Sequence, residues 1–446
     1  MTAIATRSPA RQAGARLRAA SRTTPGRYRL WSLATGAVLV LATLTAGASA
    51  AEMRSATRRA ETTSGPVLVA TQELVSSLAE ADAAATAAFL SGRDEDPEQR
   101  RLYEQALARA DQQVEEIAAL AGRDAALRTH LDTISVALTR YAGLVEAARA
   151  SNRSGTADAN AYLVSAVKLA EELVQGDAAG LADDARSALV DDEAHRQRAL
   201  SAASLALVVG IGLLAAGQVV VFRGSRRLVN PPLLVATALV AAGLVWLLVA
   251  HGSTGRDMAE ARRHGYDSIA LTAQLGNAGF GAKAAETLAL ITGDGAQWTA
   301  ADASAAQVAA EPVNGDVALG IREGRPGGAP GGLLGQAAEA ADSPRERAAV
   351  AEAALRWQRF QTTIASLRKA DAATARAVAV GPASADFNGF NFSVQSILGQ
   401  NRDQFLAGLS HAADGATRLP RAVPLLLLVA LAAMFWGFQL RINDYR

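Results

Sequence analysis

The chain has 446 residues, half of them hydrophobic, with a formal net charge of +1 and no cysteine. Without cysteine there is no disulfide, thiolate metal site or thiol redox chemistry, so any segment outside a membrane must be held by packing alone. Only three lysines stand beside 41 arginines, and the near-zero net charge hides a strong asymmetry along the chain.

Residues 1–29 form a basic tail with Arg7, Arg11, Arg16, Arg18, Arg22, Arg27 and Arg29 and no acid. An apolar run follows within residues 30–51, from Trp31 to Ala50, near the roughly 20 residues that a hydrocarbon core of about 30 Å requires. Ala48-Ser49-Ala50 closes it with the small-x-small pattern of a signal-peptidase site, but the basic region and the apolar run are both longer than a signal peptide needs, which favours a retained span.

Residues 52–198 predict four helices. In the third, Leu127, Leu131, Ile134, Leu138, Tyr141 and Val145 alternate spacings of four and three, which keeps one seam facing partner helices. Thr71, Leu74, Leu78, Ala81 and Ala85 do the same in the first, Leu102, Ala106, Val114, Ile117 and Leu120 in the second, and Tyr162, Ala166, Leu169 and Leu173 in the fourth. Turns at Ser91 to Asp96 before Pro97, at Ala121 to Asp124 and at Ser151 to Gly155 separate them. The expectation is an antiparallel four-helix bundle standing on the membrane, its first turn at the far tip.

A second span (199–222) leads to a link (223–230) with Arg223, Arg226 and Arg227, and a third span (231–251) follows at once. Residues 252–421 repeat the plan less regularly: Ala353, Trp357, Phe360, Ile364 and Leu367 rebuild a seam, and Phe387, Phe390 and Phe392 form an aromatic cluster ahead of Val394, Leu398, Phe405 and Leu409. A Gly/Pro loop within 324–335 cannot propagate a helix, and no Gly-Lys-Ser/Thr makes it a phosphate cradle. Gly276, Gly279 and Gly281 sit in a helical pattern with no strand before them, which points to close helix packing rather than a dinucleotide loop. The fourth span covers 422–439, and a short tail, 440–446, ends the chain.

The two exterior segments share landmarks. Phe89-Leu90-Ser91-Gly92 is matched by Leu290-Ile291-Thr292-Gly293, Asp94 by Asp294, and Met53 with Arg58-Arg59 by Met258 with Arg262-Arg263, which points to an internal duplication. Arginine bias in the tail and link places them, and both termini, in the cytoplasm. The exterior then carries a net charge near −10. The apolar runs of the four spans, Trp31 to Ala50, Leu200 to Phe222, Pro232 to Ala250 and Ala422 to Gln439, hold no ionisable residue, which argues against an ion or proton path. The fold class is therefore all-α, with four transmembrane helices carrying two tandem extracytoplasmic antiparallel four-helix bundles.

Chemistry-bearing patterns are sparse. His130, His195, His251, His264 and His411 are scattered and form no metal-ligand spacing, and no nucleophile elbow, kinase set or zinc signature occurs, so no catalytic, cofactor or metal residue is assigned and an enzyme is not expected. Candidate contact residues for an exterior partner are the tips: Ser91, Gly92 and Asp94 in one segment, Gly293, Asp294 and an exposed Trp298 in the other, an aromatic anchor being the kind of residue that concentrates interface energy. Candidate inner contacts are Arg22, Arg27, Arg29, Arg223, Arg226 and Arg227, which also suit anionic membrane lipid.

Phe89 to Asp94, Arg101-Leu102-Tyr103-Glu104 and the heptads beyond resemble the helical extracellular sensor bundles of chemoreceptors and sensor histidine kinases. Those receptors continue into large cytoplasmic signalling modules, whereas the inner segments here are short. The arrangement of two bundles on four spans resembles actinobacterial membrane proteins that couple a periplasmic glutamine/glutamate-binding lipoprotein to a soluble Ser/Thr kinase. That resemblance implies a non-enzymatic relay with a solute-binding lipoprotein outside and a kinase inside, no nucleic acid, and a homodimer as one assembly open to it. The alternative is an accessory or scaffold subunit of a transport or cell-envelope complex.

Overall fold

The computed structural model describes residues 24–92, 96–122, 124–156, 158–225, 230–260, 265–325, 329–418 and 422–443, which contain helices and turns and no strand. In chain order the helices are α1 (Thr24–Arg59), α2 (Gly65–Leu90), α3 (Pro97–Ala121), α4 (Ala125–Ser154), α5 (Ala159–Leu173), α6 (Ala179–Ser225), α7 (Pro231–Glu260), α8 (Asp267–Thr292), α9 (Gly295–Val308), α10 (Gly315–Glu323), α11 (Leu333–Ala340), α12 (Pro344–Leu367), α13 (Ala372–Val378), α14 (Ser384–Arg418) and α15 (Ala422–Asn443). The all-α class expected from the periodicities is the class observed. Contacts divide the chain into two units, one of residues 1–58, 190–257 and 411–446, the other of residues 59–189 and 258–410.

The first unit holds the apolar helices. Four helical stretches, within 26–90, 159–223, 231–249 and 423–440, are long and apolar enough to cross a membrane. Leu39, Leu207, Leu214, Val240, Leu427, Met434 and Phe438 meet in their shared core, while Leu33, Leu205, Val245 and Trp436 face outward. An apolar outside around an apolar inside is what lipid demands of a helix bundle. Because lipid removes the hydrophobic advantage of helix association, polar contacts act as glue there. Asn230 Nδ2 donates to the Gly437 carbonyl at 3.1 Å, and Gln218 Nε2 donates to Thr237 Oγ1 at 2.8 Å.

The second unit contains most of the two segments that the sequence places outside the membrane. The expected seams are its core: Leu127, Leu131, Ile134, Leu138, Tyr141 and Val145 are all buried, as are Thr71, Leu74, Leu78, Ala81 and Ala85 on α2 and Ala353, Trp357, Phe360, Ile364 and Leu367 on α12. Asp96 and Asp124 cap α3 and α4 by accepting from the amides of Glu98 and Ala126. Two expected core residues lie outside instead. Tyr162 and Phe392 are exposed, because α5 turns Leu163, Ala166 and Ala170 inward and α14 turns Phe387, Phe390 and Val394.

The segments are not two separate bundles. α2 of the first and α8 of the second pack along their lengths, and three apolar clusters draw on both: Val67 and Leu68 with Tyr266 and Phe405, Ala83 with Leu275, and Phe89 with Leu288. Arg402 on α14 reaches Glu73 on α2 at 2.9 Å. α2 is buried on nearly all sides, which its alanine-rich composition permits, whereas α3 and α4 carry one apolar stripe each. The second segment also departs from a plain four-helix plan, since the short helices α9, α10 and α11 stand in sequence between the long helices α8 and α12.

The landmarks shared by the segments extend to backbone geometry. α2 and α8 are each 26 residues long, each follows π-helical residues (Ala60–Ser64, and residues 265 and 266), and each ends near a glycine at positive φ, Gly92 at 81° and Gly293 at 70°. Further π turns, Val174–Ala178 and Ala379–Ala383, immediately precede α6 and α14.

Of the three glycines read as packing contacts, Gly279 carries the closest approach. A Cβ at Gly279 would lie 2.5 Å from Cε1 of Phe390, which is itself buried between Trp357 and Phe387. Gly279→Ala should therefore push α8 and α14 apart at a cost of about 1–3 kcal/mol, the usual penalty for overpacking a filled core. A thermal melt of the purified full chain that matches wild type would show that Phe390 has room to turn aside.

Candidate functional site

The expected contact residues are mostly local structural devices. Gly92 in the left-handed region ends the α2 turn, and its carbonyl accepts from Asn152 Nδ2 at 3.0 Å; the Ser91 hydroxyl is enclosed without a partner. Gly293 closes α8 with its amide on the Ala289 carbonyl, and Asp294 caps α9 by accepting from the Ala296 amide at 2.9 Å. Trp298 is not the exposed anchor expected of it: it is half-buried against the core, with the Arg368 guanidinium 4.6 Å above its ring. Asp94, Arg22, Arg226 and Arg227 lie outside the described residues. Arg27, Arg29 and Arg223 are exposed on α1 and α6. The structure does bring the two helix ends together, for Phe89, Leu163, Leu288 and Ile291 form one apolar cluster joining α2, α5 and α8.

More chemistry lies inside the second unit. On α8, Lys283 and Glu286 are buried, with 7% and 3% of their surface exposed. Burial pulls the Lys283 amine down to about 8 and pushes the Glu286 carboxyl up to about 8, because a low-dielectric surrounding penalises whichever form is charged. At neutral pH Lys283 is thus the ammonium, 4.7 Å from the Phe387 ring centroid in a cation–π contact, and Glu286 is largely protonated. Around them stand the Glu80–Arg109 pair at 2.5 Å and the Asp302–Arg368 pair at 2.5 Å.

On α2, Asp82 is the other displaced acid. Burial, opposed by the Tyr141 hydroxyl and reinforced by the Glu171 carboxylate, raises it to about 7. No cationic side chain among the described residues pairs with it, and the buried Tyr141 hydroxyl faces it without closing a hydrogen bond of normal geometry. Asp82 borders a cavity of about 270 Å³ between α2, α5, α8 and α9. Its walls are largely apolar, including Leu78, Val167, Phe280 and Leu288, and its polar groups are Asp82, Glu171, Asn277, Gln297 and Ser304. Two more polar cavities lie in the unit: one of about 530 Å³ holding Arg186, Tyr266 and Asp183, and one of about 350 Å³ at the Glu80–Arg109 pair.

His130 is engaged by Asp177 at 3.1 Å, and the described residues hold no group of histidines and acids placed to bind a metal. Lys283, Glu286 and Asp82 escape a reading by motif because none belongs to one. Their signal is context: in Gly281-Ala-Lys-Ala-Ala-Glu-Thr-Leu288 and Ala81-Asp-Ala-Ala-Ala-Thr86 a charge interrupts a run of small residues that a close-packed helix would otherwise keep neutral.

Four helical stretches long and apolar enough to cross a membrane, in a chain whose described residues are helices and turns, point to an all-α membrane protein. Residues 56–194 match the family model described as the actinobacterial sensor domain, which spans α2 to α5 and the start of α6. The match supports a sensing role of actinobacterial type in a membrane protein. No curated protein gives a match to the chain.

Proposed function

We propose that the chain is a non-enzymatic transmembrane signal transducer that receives an extracytoplasmic solute signal and passes it to a cytoplasmic partner. The observation that carries this reading is the sensor-domain match over residues 56–194, set between apolar helices. Helical backbone runs unbroken from residue 24 to 90 and from 159 to 225, interrupted only by π turns, so displacement of α2 or α5 has a stiff path along the chain. Sliding or rotation of packed helices by one or two ångströms is a sufficient two-state device. The arginine bias supports cytoplasmic termini and a cytoplasmic 223–230 link. The paired π turns, equal first helices and shared glycines support a duplicated ancestral unit whose copies fused their cores. The proposed partners are a solute-binding lipoprotein outside and a Ser/Thr kinase inside, following the resemblance of the whole arrangement.

Crosslinking of the full chain in its native membrane, with and without external amino acids, tests the relay. A solute-binding protein and a kinase captured in a solute-dependent ratio is the expected outcome. Permease or envelope subunits captured in equal amount under both conditions would instead identify a scaffold.

A further inference from the structure

The cavity beside Asp82 has the chemistry of a ligand site, and the two exterior segments build it together. α2 and α5 supply one wall and α8 and α9 the other, so an occupant would touch both copies at once. Its rim is open, because Glu171, Gly281 and Ala300 are exposed. Its interior offers acceptors and no cation: the Asp82 carboxylate from α2, Asn277 Oδ1 from α8, which is enclosed without a hydrogen-bond partner, and Glu171 from α5.

We propose that this cavity binds a small organic cation, an ammonium group seated between Asp82 and Asn277 with its apolar body against Leu78, Val167, Phe280 and Leu288.

Three points support that class over others. An ammonium carries three donors and no acceptor, which matches an enclosed Asn277 Oδ1 without a partner and an Asp82 carboxylate that no cationic side chain among the described residues pairs with. A zwitterionic amino acid does not fit, because its carboxylate would enter a space with two acids and no basic side chain among the lining residues. A bare metal ion does not use the apolar walls, and hard cations take several oxygen ligands in a shell. Burial raises the Asp82 carboxyl to about 7, with the Tyr141 hydroxyl from α4 opposing and the Glu171 carboxylate from α5 adding to the shift, and a bound cation would lower it again. At about 270 Å³ the space lies just under the range used by drug-sized ligands, so one aromatic ring with a short aminoalkyl chain fills it.

The binding claim stands apart from the relay, which supplies only its consequence. The test uses the full chain in phospholipid nanodiscs and calorimetric titration with phenethylammonium, 2-phenylethanol and phenylalanine. Phenethylammonium should bind saturably, while the neutral alcohol and the amino acid should each be at least about 30-fold weaker, since a buried charge partner is being withheld or opposed. Asp82→Asn keeps the shape and removes the charge, and should lose the phenethylammonium signal by the same factor. Ala285→Phe, which fills the cavity from α8, should lose it independently. No saturable binding of phenethylammonium at millimolar concentration overturns the proposal, as does equal affinity for the alcohol or wild-type affinity in both variants. Calcium competing with phenethylammonium at similar concentration would assign the site to inorganic cations instead. Binding without any change in crosslinked partners would retain the site and reject the relay, whereas solute-dependent partners without binding would do the reverse.

Discussion

Leu131→Asp should unfold the second unit. Leu131 is 4% exposed and sits in the α4 seam, in an apolar cluster shared with Leu74, Leu78, Ile134 and Leu138. A carboxylate there has no cation or hydrogen-bond donor of its own, and the cost of burying it unpaired exceeds about 4 kcal/mol, much of the margin by which a domain is stable. Val136→Asp on the same helix provides the comparison, because Val136 is 70% exposed and a surface change of this kind shifts stability by about 0.5 kcal/mol or less. Circular dichroism and gel filtration of both variants in detergent separate the two outcomes. Wild-type melting of the Leu131 variant would mean that α4 is not held by this seam.

Fusion of the two segments adds a consequence for truncation. Cutting out residues 52–198 alone exposes the side of α2 that α8 and α14 cover, including Val67, Leu68 and the surface around Glu73. Stability of the first segment therefore depends on the second, and a substitution such as Leu131→Asp is to be read in the full chain.

The sequence made much of this architecture legible, and physics explains where it stopped. The seams of α2, α4 and α12 follow from strict spacing, and the turns before α3 and α4 follow from Gly-containing polar runs, whose last residues Asp96 and Asp124 prove to cap the helices by accepting from free amides. Packing of α2 against α8 was not legible from an apolar stripe, because small residues cover most of α2 and leave no single face to read. Trp298 illustrates a different failure. A tryptophan following a turn reads as an exposed anchor, yet α9 folds back on α8, and Arg368, 70 residues on, stacks on its ring. Tyr162 was misplaced by one residue, a rotation of about 100° that carries a side chain from core to solvent. The cavity at Asp82 needed tertiary structure altogether, since its walls come from two segments distant in the chain.

The other large effect is in the dependence of stability on pH, and it runs against the pattern of most proteins. Asp82 and Glu286 have their carboxyls raised to about 7 and about 8 in the fold, so the native state holds their protons more tightly than the unfolded chain does. Their favourable contribution is complete below pH 4 and is lost as pH climbs through about 7 and 8. Lys283 acts in the opposite sense: its amine is lowered to about 8, so the native state is penalised while it holds the proton and relieved as pH rises from about 8 toward 10.5. From these three groups a melting curve of the second unit, followed by the fluorescence of Trp298 and Trp357, should show its weakest point near pH 8. Asp82→Asn isolates one contribution. Near pH 3 the variant should match wild type, the Asp82 carboxyl being neutral in the folded and largely in the unfolded chain; at pH 8 it should be more stable by on the order of 2–4 kcal/mol, the ionisation penalty removed. Tyr141 does not disturb the comparison, because burial holds its hydroxyl well above 10 and it stays neutral throughout. Equal stability of variant and wild type at both pH values would mean that Asp82 ionises freely in the fold, and a lower stability at pH 8 would mean that its charge is already satisfied. A carboxyl raised by burial costs stability once it ionises at neutral pH, and a cation bound beside it would offset that cost, so a bound cation should flatten the difference between wild type and Asp82→Asn at pH 8.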